Sequence, residues 1–395
     1  MSSEKTKVLI LGGGFGGVKT ALELADNPHF SVALISDQTD FRYYPALYHA
    51  ATGGSPLASS IPLSEIFTNK RVRVVKDIAK KLDRETRKVE CASGKSYHYD
   101  ILVVALGVVT NYFDIRGLKK YSYGIKTLED AQGLRDHLHQ LIADGRKPDL
   151  NYVVIGGGAT GVELAGALPS YLRHIMKKHG VPQKAINVDL VEAESHLMPR
   201  MPKSYSRAIQ RRLRRLGIEL HLNQKVEAET AEKLMVSGHP IQSQTVIWTA
   251  GVTNHPFLTA NKFIMSQYGR VVVNEMLQAE EDTYVIGDNA DTPYCGMAQT
   301  ALHNAIFVAG NLQRLAHGER PLPYKPRKPI YVTPAGSRWA AVIWGNLHIY
   351  GWLGWLLRET ADLIAYHDLQ PWWPAYKHWM AGNSSIETCP VCARP

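Results

Sequence analysis

Two runs of glycine carry the first chemical signal. Gly12, Gly14 and Gly17 in KVLILGGGFGGVKTALELAD, and Gly156, Gly158 and Gly161 in NYVVIGGGATGVELAGALPSYL, both fit the spacing G-x-G-x-x-G between a short apolar run and an amphipathic stretch. In that pattern the first glycine allows a tight turn, the second lets a pyrophosphate approach the backbone, and the third lets the following helix pack against its strand. The helix start then offers free N–H groups and a positive dipole end to phosphate. Each motif is followed by an apolar run with a polar end: SVALISD closes on Ser36 and Asp37, and NVDLVEAE closes on Glu192. An acid there accepts both ribose hydroxyls and repels a 2′-phosphate, so the second site reads as preferring NAD(H) over NADP(H). A third apolar run, TYVIGDNAD, ends in Gly287 and Asp288, where an acid can bond a sugar-like chain while backbone N–H groups meet phosphate. By itself Asp288 also reads as an ordinary turn residue.

These turns need strands and helices to hold them. The run VLIL is of the kind buried on both faces of a parallel sheet, and each glycine run opens an amphipathic helix. The chain has 395 residues, 45% of them hydrophobic and 21% charged, enough for a large core divided into two or three domains. Two nucleotide sites in one chain suggest one cofactor that stays bound and one that comes and goes. The net charge of +9 suits an anionic partner: nucleic acid, an acidic membrane surface or a phosphate-rich cofactor. Four scattered cysteines, Cys91, Cys295, Cys389 and Cys392, do not make a disulfide framework and favour a reducing compartment. The first apolar run is too short for a cleaved leader, and no stretch reaches the roughly 18 uninterrupted apolar residues of a membrane span, so a cytoplasmic body is expected.

The sequence resembles the two-dinucleotide-binding-domain flavoproteins and, within them, the type II NADH dehydrogenases, which are single-subunit NADH:quinone oxidoreductases. The resemblance covers nearly the whole chain. It implies an α/β fold of two Rossmann-like dinucleotide-binding domains of the glutathione-reductase-like FAD/NAD type, with an amphipathic, membrane-associated C-terminal region. The implied division is an FAD-binding domain over 1–112 and 251–330, an inserted NADH-binding domain over 113–250, and a membrane-association and dimerisation region over 331–395. By resemblance, Gly12, Gly14, Gly17 and Asp288 bind FAD, with Ser36 and Asp37 at the ribose end, and Gly156, Gly158, Gly161 and Glu192 bind NADH. YDILVVALGVVTNYFDIRGL is similar to the family's crossover, with Ala105 and Gly107 at its turn and Leu106 where a small Thr is usual; Gly251 of TVIWTAGV joins the cofactor-binding set. Glu163 in GGGATGVELAGAL corresponds to an acid near flavin and nicotinamide, while a plainer reading has it complement the helix dipole.

AQTALHNA resembles the family motif A-Q-x-A-x-Q beside the isoalloxazine ring, where the quinone head arrives. Gln299 matches, and His303 stands where the second Gln is usual. A histidine there is able to bond a quinone carbonyl or donate a proton; otherwise the two are helix residues four apart on one face. Glu163, Gln299 and His303 are therefore the candidate catalytic residues, and no metal ligand set is expected.

Six of the eight tryptophans fall between Trp344 and Trp379. Ile349, Leu353, Leu356, Leu363 and His367 track one helical face, interrupted by Arg358, Glu359 and Asp362, which reads as an amphipathic helix in the plane of a membrane. Core or dimer interface is the competing reading of such an aromatic stripe. The resemblance implies a membrane foot that also contributes to a homodimer, with NADH and a membrane quinone as partners at the cytoplasmic face and no nucleic acid. YSRAIQRRLRRLG and YKPRKP are candidates for electrostatic attraction to lipid. The tail SSIETCPVCARP carries one CxxC, which reads as half of a zinc site or as a redox pair, and is expected to be a disordered tail.

Two other enzyme activities and one non-enzymatic role compete with this reading. A sulfide:quinone oxidoreductase needs a cysteine pair flanking the flavin, and none is evident in the sequence. An NADH:ferredoxin or rubredoxin reductase lacks the aromatic foot. A basic flavoprotein of the apoptosis-inducing-factor type binds nucleic acid with salt-sensitive affinity, against which the aromatic, nearly uncharged C-terminus argues.

Overall fold

The computed structural model describes residues 5–144, 151–182 and 186–384. Its first unit is a six-stranded sheet in the order Gln278–Glu280, Thr283–Val285, Ile101–Val104, Thr6–Leu11, Phe30–Ser36, Val72–Lys76, parallel except for the first pair. Alternation within Thr6–Leu11 feeds two cores. Val8 and Ile10 pack with the helices Phe15–Leu24 and Ala298–Ala316, whereas Leu9 and Leu11 pack against a small antiparallel sheet through Leu82, Val89 and Cys91. Both faces are therefore covered, which is why the strand is apolar throughout.

The chain leaves this unit along Val108–Thr110 and returns along Val252–Asn254, and these two short strands pair antiparallel. Between them lies a second parallel sheet, in the order Ile218–Leu222, Asn187–Glu192, Asn151–Ile155, Thr245–Trp248. The long helix Ala159–Lys178 and the helix Leu128–Ala143, whose start carries a reciprocal Thr127–Asp130 capping box, pack against it.

The C-terminal region binds both units together. Its three-stranded antiparallel sheet, Tyr331–Pro334, Ala340–Trp344 and Leu347–Gly351, puts Ala341 and Ile343 into the core that holds Leu164, Leu168 and Ile209. Its two helices, Trp352–His367 and Trp372–Gly382, put Tyr366 and Ala375 into the core that holds Phe15 and Phe41.

Here the expected helical stripe is corrected. Ile349 belongs to the strand Leu347–Gly351, paired with Val342, and the helix starts only after Gly351, whose φ of +87° ends the strand. The new phase turns Arg358 inward, 8% exposed, together with Gly354 and Tyr366. Leu353, Leu356 and Ile364 are exposed, and Trp344, Leu347, Trp352, Trp372 and Trp373 add to the same kind of surface at 52–66% exposure. Apolar groups thus face outward while the charged ones face the protein, the reverse of an ordinary surface helix. Among the described residues no helix is long and apolar enough to cross a membrane. Cys389 and Cys392 lie outside the described residues.

Candidate active site

The two glycine turns exclude side chains at the same positions. A Cβ on Gly17 would overlap the carbonyl oxygen of Gly12, and one on Gly161 would overlap that of Gly156, so in each turn helix and strand touch backbone to backbone. Gly12 and Gly156 take left-handed φ values of +111° and +110°. At Gly14 and Gly158, by contrast, a Cβ would meet nothing within 4 Å. These are the N-cap residues of their helices, and neither cap is closed by a side-chain hydrogen bond. The first-turn N–H groups of both helices are therefore not capped by a side chain at the turn, under an open space; the residues present fit a pyrophosphate at either site.

The strand ends differ in an informative way. Glu192 accepts from the N–H of Gly157 at 2.5 Å and from that of Glu194 at 2.8 Å, which fixes its carboxylate against the second turn with lone pairs left for ribose hydroxyls. The corresponding place in the first turn is taken by Ser36: a Cβ on Gly13 would run into its hydroxyl, and Ser36 Oγ accepts from Gln38 N–H at 3.2 Å. Asp37 stands one residue further out and pairs with Arg42 at 3.0 Å.

The crossover residues meet at Asn289, which sequence reasoning missed. Its amide accepts from Gly107 N–H at 2.8 Å, donates to Gly107 O at 2.7 Å and donates to Asn254 Oδ1 at 2.5 Å. The outgoing and returning segments are thereby fixed to the strand end that carries Asp288. Asp288 itself accepts from Gly296 N–H at 3.1 Å, and the peptide N–H of Gly287 donates to Asn304 Oδ1 at 3.0 Å. Ala105 lies against Gly12, and Gly251, at φ +126°, has the ring of Phe113 where a side chain would go. Lys126, also missed, has its ammonium 4.6 Å from the Tyr44 ring centroid; burial lowers its pKa and the charge of Asp288 opposes that shift. The signals for Asn289 and Lys126 were only the letters beside motifs already quoted.

Glu163 is not a helix-dipole partner. It lies beyond the first turn of Ala159–Lys178, is 8% exposed, and has Oε1 3.7 Å from Arg358 Nη1. Arg358 pairs more closely with Asp362, Nε to Oδ2 at 2.5 Å, and donates from Nη2 to Pro45 O at 3.2 Å. Asp362 in turn accepts from the Tyr43 hydroxyl at 2.5 Å. Three segments meet here: 43–49 of the first unit, the nucleotide-turn helix of the second, and the inverted C-terminal helix. Burial pushes the Glu163 carboxyl up to about 8, with Arg358 opposing and Asp362 reinforcing the shift. Arg358 stays charged: although burial acts against it, Asp362 and Glu163 hold its pKa well above the ordinary value. Nearby His49 is lowered to about 4, first by burial and then by Arg358, so it is neutral. Burial outweighs the more distant guanidinium, whose closest pairing is with Asp362, so Glu163 keeps its proton at neutral pH.

The helix Ala298–Ala316 places Gln299 and His303 on one face, as their spacing requires, but gives them different neighbours. The Gln299 amide clips a passing strand start: it donates to Ile330 O and accepts from Ile330 N–H, both at 3.0 Å. His303 lines a cavity of about 400 Å³ with Ile306, Phe307, Leu322, Tyr324 and Arg327. Burial, then Arg327, lowers the His303 pKa, so the imidazole facing this apolar space is neutral near pH 7. Cys91 is buried, Cys295 is partly buried, and both are free thiols.

Comparison with known proteins agrees with this geometry. Residues 6–305 match the family described as pyridine nucleotide-disulphide oxidoreductase. Curated proteins named type II NADH:quinone oxidoreductase, from Staphylococcus saprophyticus and Staphylococcus haemolyticus, are each 28% identical over 342 residues, spanning 81% of this chain and 85% of theirs. Among solved structures, NDH2 from Plasmodium falciparum in complex with NADH superposes with a TM-score of 0.85 at 17% identity, over 96% of this chain and 97% of that one. The sulfide:quinone oxidoreductase of Aquifex aeolicus gives 0.76 at 22% identity, over 96% and 92%. The paired glycine turns, the returning strand at Asp288 and the match over most of the chain together place it in the pyridine nucleotide-disulphide oxidoreductase family.

Proposed function

We infer that this chain is a type II NADH:quinone oxidoreductase, an FAD-dependent enzyme that passes reducing equivalents from NADH to a quinone without pumping protons. The observation that carries the reading is the duplicated glycine turn with an open cradle at Gly14 and again at Gly158, in a chain whose curated relatives bear that name. Bound FAD supplies the hydride acceptor and the relay between a two-electron donor and a quinone. The work of the chain is to hold, orient and separate.

In this reading the strands before 112 and after 251 hold the flavin, the insertion 113–250 holds NADH, and 331–395 meets the membrane. Gly12, Gly14, Gly17, Ser36, Asp37, Ala105, Gly107 and Asp288 contact FAD; Gly156, Gly158, Gly161, Glu192 and Gly251 contact NADH. Glu192 binds the adenosine ribose hydroxyls and repels a 2′-phosphate. Glu163 is the local proton reservoir for the acceptor, in keeping with a carboxyl raised to about 8 and held beside Arg358. Neutral His303 serves the quinone as a hydrogen-bond partner in its apolar cavity rather than as a cation, and Gln299 sets the helix start against 330. The exposed Trp and Leu surface of the C-terminal region lies at the lipid interface of the cytoplasmic face, where rings with one polar edge are favoured, and it contributes to a homodimer. A nucleic-acid partner has no part in this scheme.

The direct test is spectroscopic. Purified protein is expected to be yellow, to be bleached by NADH under anaerobic conditions, and to regain its colour on adding a short-chain quinone; Gln299→Ala should slow the recovery roughly tenfold and leave the bleaching rate within about twofold. A colourless protein, or one whose NADH-reduced flavin ignores quinone, contradicts the assignment. Replacing Glu192 by Arg removes the ribose acceptor and supplies a cation for a 2′-phosphate, so the ratio of kcat/KM for NADH to that for NADPH should fall by at least about 10²-fold, of the order set by one lost charged contact and one gained. An unchanged ratio moves the ribose contact elsewhere.

Glu163 yields a pH prediction. A carboxyl at about 8 when folded, against 4.5 for an ordinary glutamate, binds more protons in the native state across that window, so its contribution falls as pH rises from about 5 to 8. Glu163→Gln removes this dependence. Its melting temperature should gain on the wild type steadily across that range, by up to about 1.4 kcal/mol of stability per pH unit; parallel pH profiles would show that Glu163 is already ionised.

A further inference from the structure

The helix Lys203–Arg215 is the most strongly charged surface element near the C-terminal region. Tyr205, Ser206, Ile209, Gln210 and Leu213 form its buried side, and Lys203, Arg207, Arg211, Arg214 and Arg215 are exposed. Among the described residues none of these five is in an ion pair. Arg207 Nε and Arg211 Nε turn back on their own helix, donating at 3.3 Å to the carbonyls of Lys203 and Arg207. Cations in the last turn complement the helix dipole, which accounts for Arg214 and Arg215. Lys203 opens the helix at its positive end, where the dipole opposes it, and Arg207 lies just beyond the first turn, where the dipole gives it no support, so fold stability gives no reason for either charge.

Their location supplies one. The helix lies across the C-terminal sheet: the Tyr205 hydroxyl donates to Ala341 O at 3.0 Å and shares a hydrogen bond with the Thr333 hydroxyl at 2.9 Å, and Arg212 Nε donates to Ala335 O at 3.1 Å with its guanidinium 5.9 Å from the Trp339 ring. Its first turn touches the edge strand, Ser204 Oγ lying 3.5 Å from His348 Nδ1. That strand carries Leu347, 62% exposed, and leads into Trp352 and Leu353, 57% and 60% exposed. The free cations therefore border the exposed apolar surface, and Lys203 and Arg207 are at the end nearest to it.

We propose that the helix Lys203–Arg215 is an anionic-phospholipid contact flanking the apolar surface, so that the nucleotide unit as well as the C-terminal region engages the membrane and selects its headgroups. The proposal rests on the reading that the apolar surface faces a bilayer. Guanidinium groups match phosphate geometry in two-pronged fashion, and basic groups beside buried aromatic rings reproduce the layering of a lipid interface, phosphate outside and acyl chain within. Nucleic acid offers the same phosphates without any apolar layer for Leu347, Trp352 and Leu353 to enter.

The test is co-flotation of the full-length, flavin-loaded protein with vesicles of phosphatidylcholine alone or mixed with phosphatidylglycerol. The variant is Lys203→Glu with Arg207→Glu, an acid in the first turn that the dipole favours and a good helix former one turn on, both at exposed positions, so the helix is kept. Wild type should bind the mixed vesicles about tenfold more tightly than phosphatidylcholine, a preference that shrinks with salt and is the size expected of a few basic groups at an anionic surface. The variant should lose most of that preference, keep its binding to phosphatidylcholine and reduce a soluble quinone at the wild-type rate. A control with equal charge change on the first unit, Lys76→Glu on the edge strand of its six-stranded sheet with Lys80→Glu on the adjoining antiparallel sheet, should keep the preference. The proposal is overturned if the variant retains the preference or if the control loses it equally. Wild type that binds no vesicle overturns the membrane reading beneath it, and salt-sensitive binding to duplex DNA in that case assigns the helix to nucleic acid instead.

Discussion

A guanidinium held almost wholly away from water sets the terms for the junction of this molecule. Arg358 is 8% exposed, and a buried cation is tolerated only with a close anion and its remaining donors satisfied. Asp362 at 2.5 Å, Pro45 O at 3.2 Å and Glu163 at 3.7 Å provide that environment, each from a different part of the chain or a different turn. The pairing fixes the rotation of the C-terminal helix: with positions 354, 358, 362 and 366 turned to the protein, positions 353, 356 and 364 have nowhere to go but outward. One ion pair thus accounts at once for the exposed apolar surface and for a carboxyl at Glu163 that keeps its proton. Removing the cation would leave Asp362 partly buried without its counter-ion, and the surface would lose what aims it.

The glycine turns impose the second constraint, and a more local one. Backbone touches backbone where Gly17 meets Gly12 and Gly161 meets Gly156, so nothing larger is accommodated, while Gly14 and Gly158 open onto space. The same geometry is used twice with different strand ends. Glu192 is held against its turn by two peptide N–H groups, whereas its counterpart Ser36 is a small hydroxyl with the acid displaced to Asp37 and already paired with Arg42. Such a difference suits one nucleotide that must be chosen on its ribose at each turnover and another that need not be.

What could be read in the sequence follows this division between local and distant causes. The two turns, their strands and Glu192 were legible because spacing, glycine and an apolar run within a few residues determine them, and the returning strand at Asp288 was found by the same rule. Resemblance supplied Glu163, Gln299 and His303, but not their surroundings. The partner of Glu163 is 195 positions away in sequence (358 − 163), and the phase of its helix depends on Gly351 ending a strand that pairs with Ala340–Trp344. The helical pattern, run backward through that strand, therefore put Ile349 on a face it does not share and took Arg358 only as an interruption of the apolar run. Asn289 escaped notice for a similar reason, since its bonds to Gly107 span 182 positions. Gln299 kept its place but not its freedom, because Ile330 takes both ends of its amide.

The central claim is that one protein joins a water-borne donor to a lipid-borne acceptor across the junction of its nucleotide units and its C-terminal region. It is tested most directly by NADH oxidation with a long-chain quinone dissolved only in the bilayer of phospholipid vesicles. The account predicts sustained turnover with those vesicles, one quinol formed per NADH consumed, and none with vesicles lacking the quinone. Turnover confined to soluble acceptors, with the membrane quinone left oxidised, would contradict it.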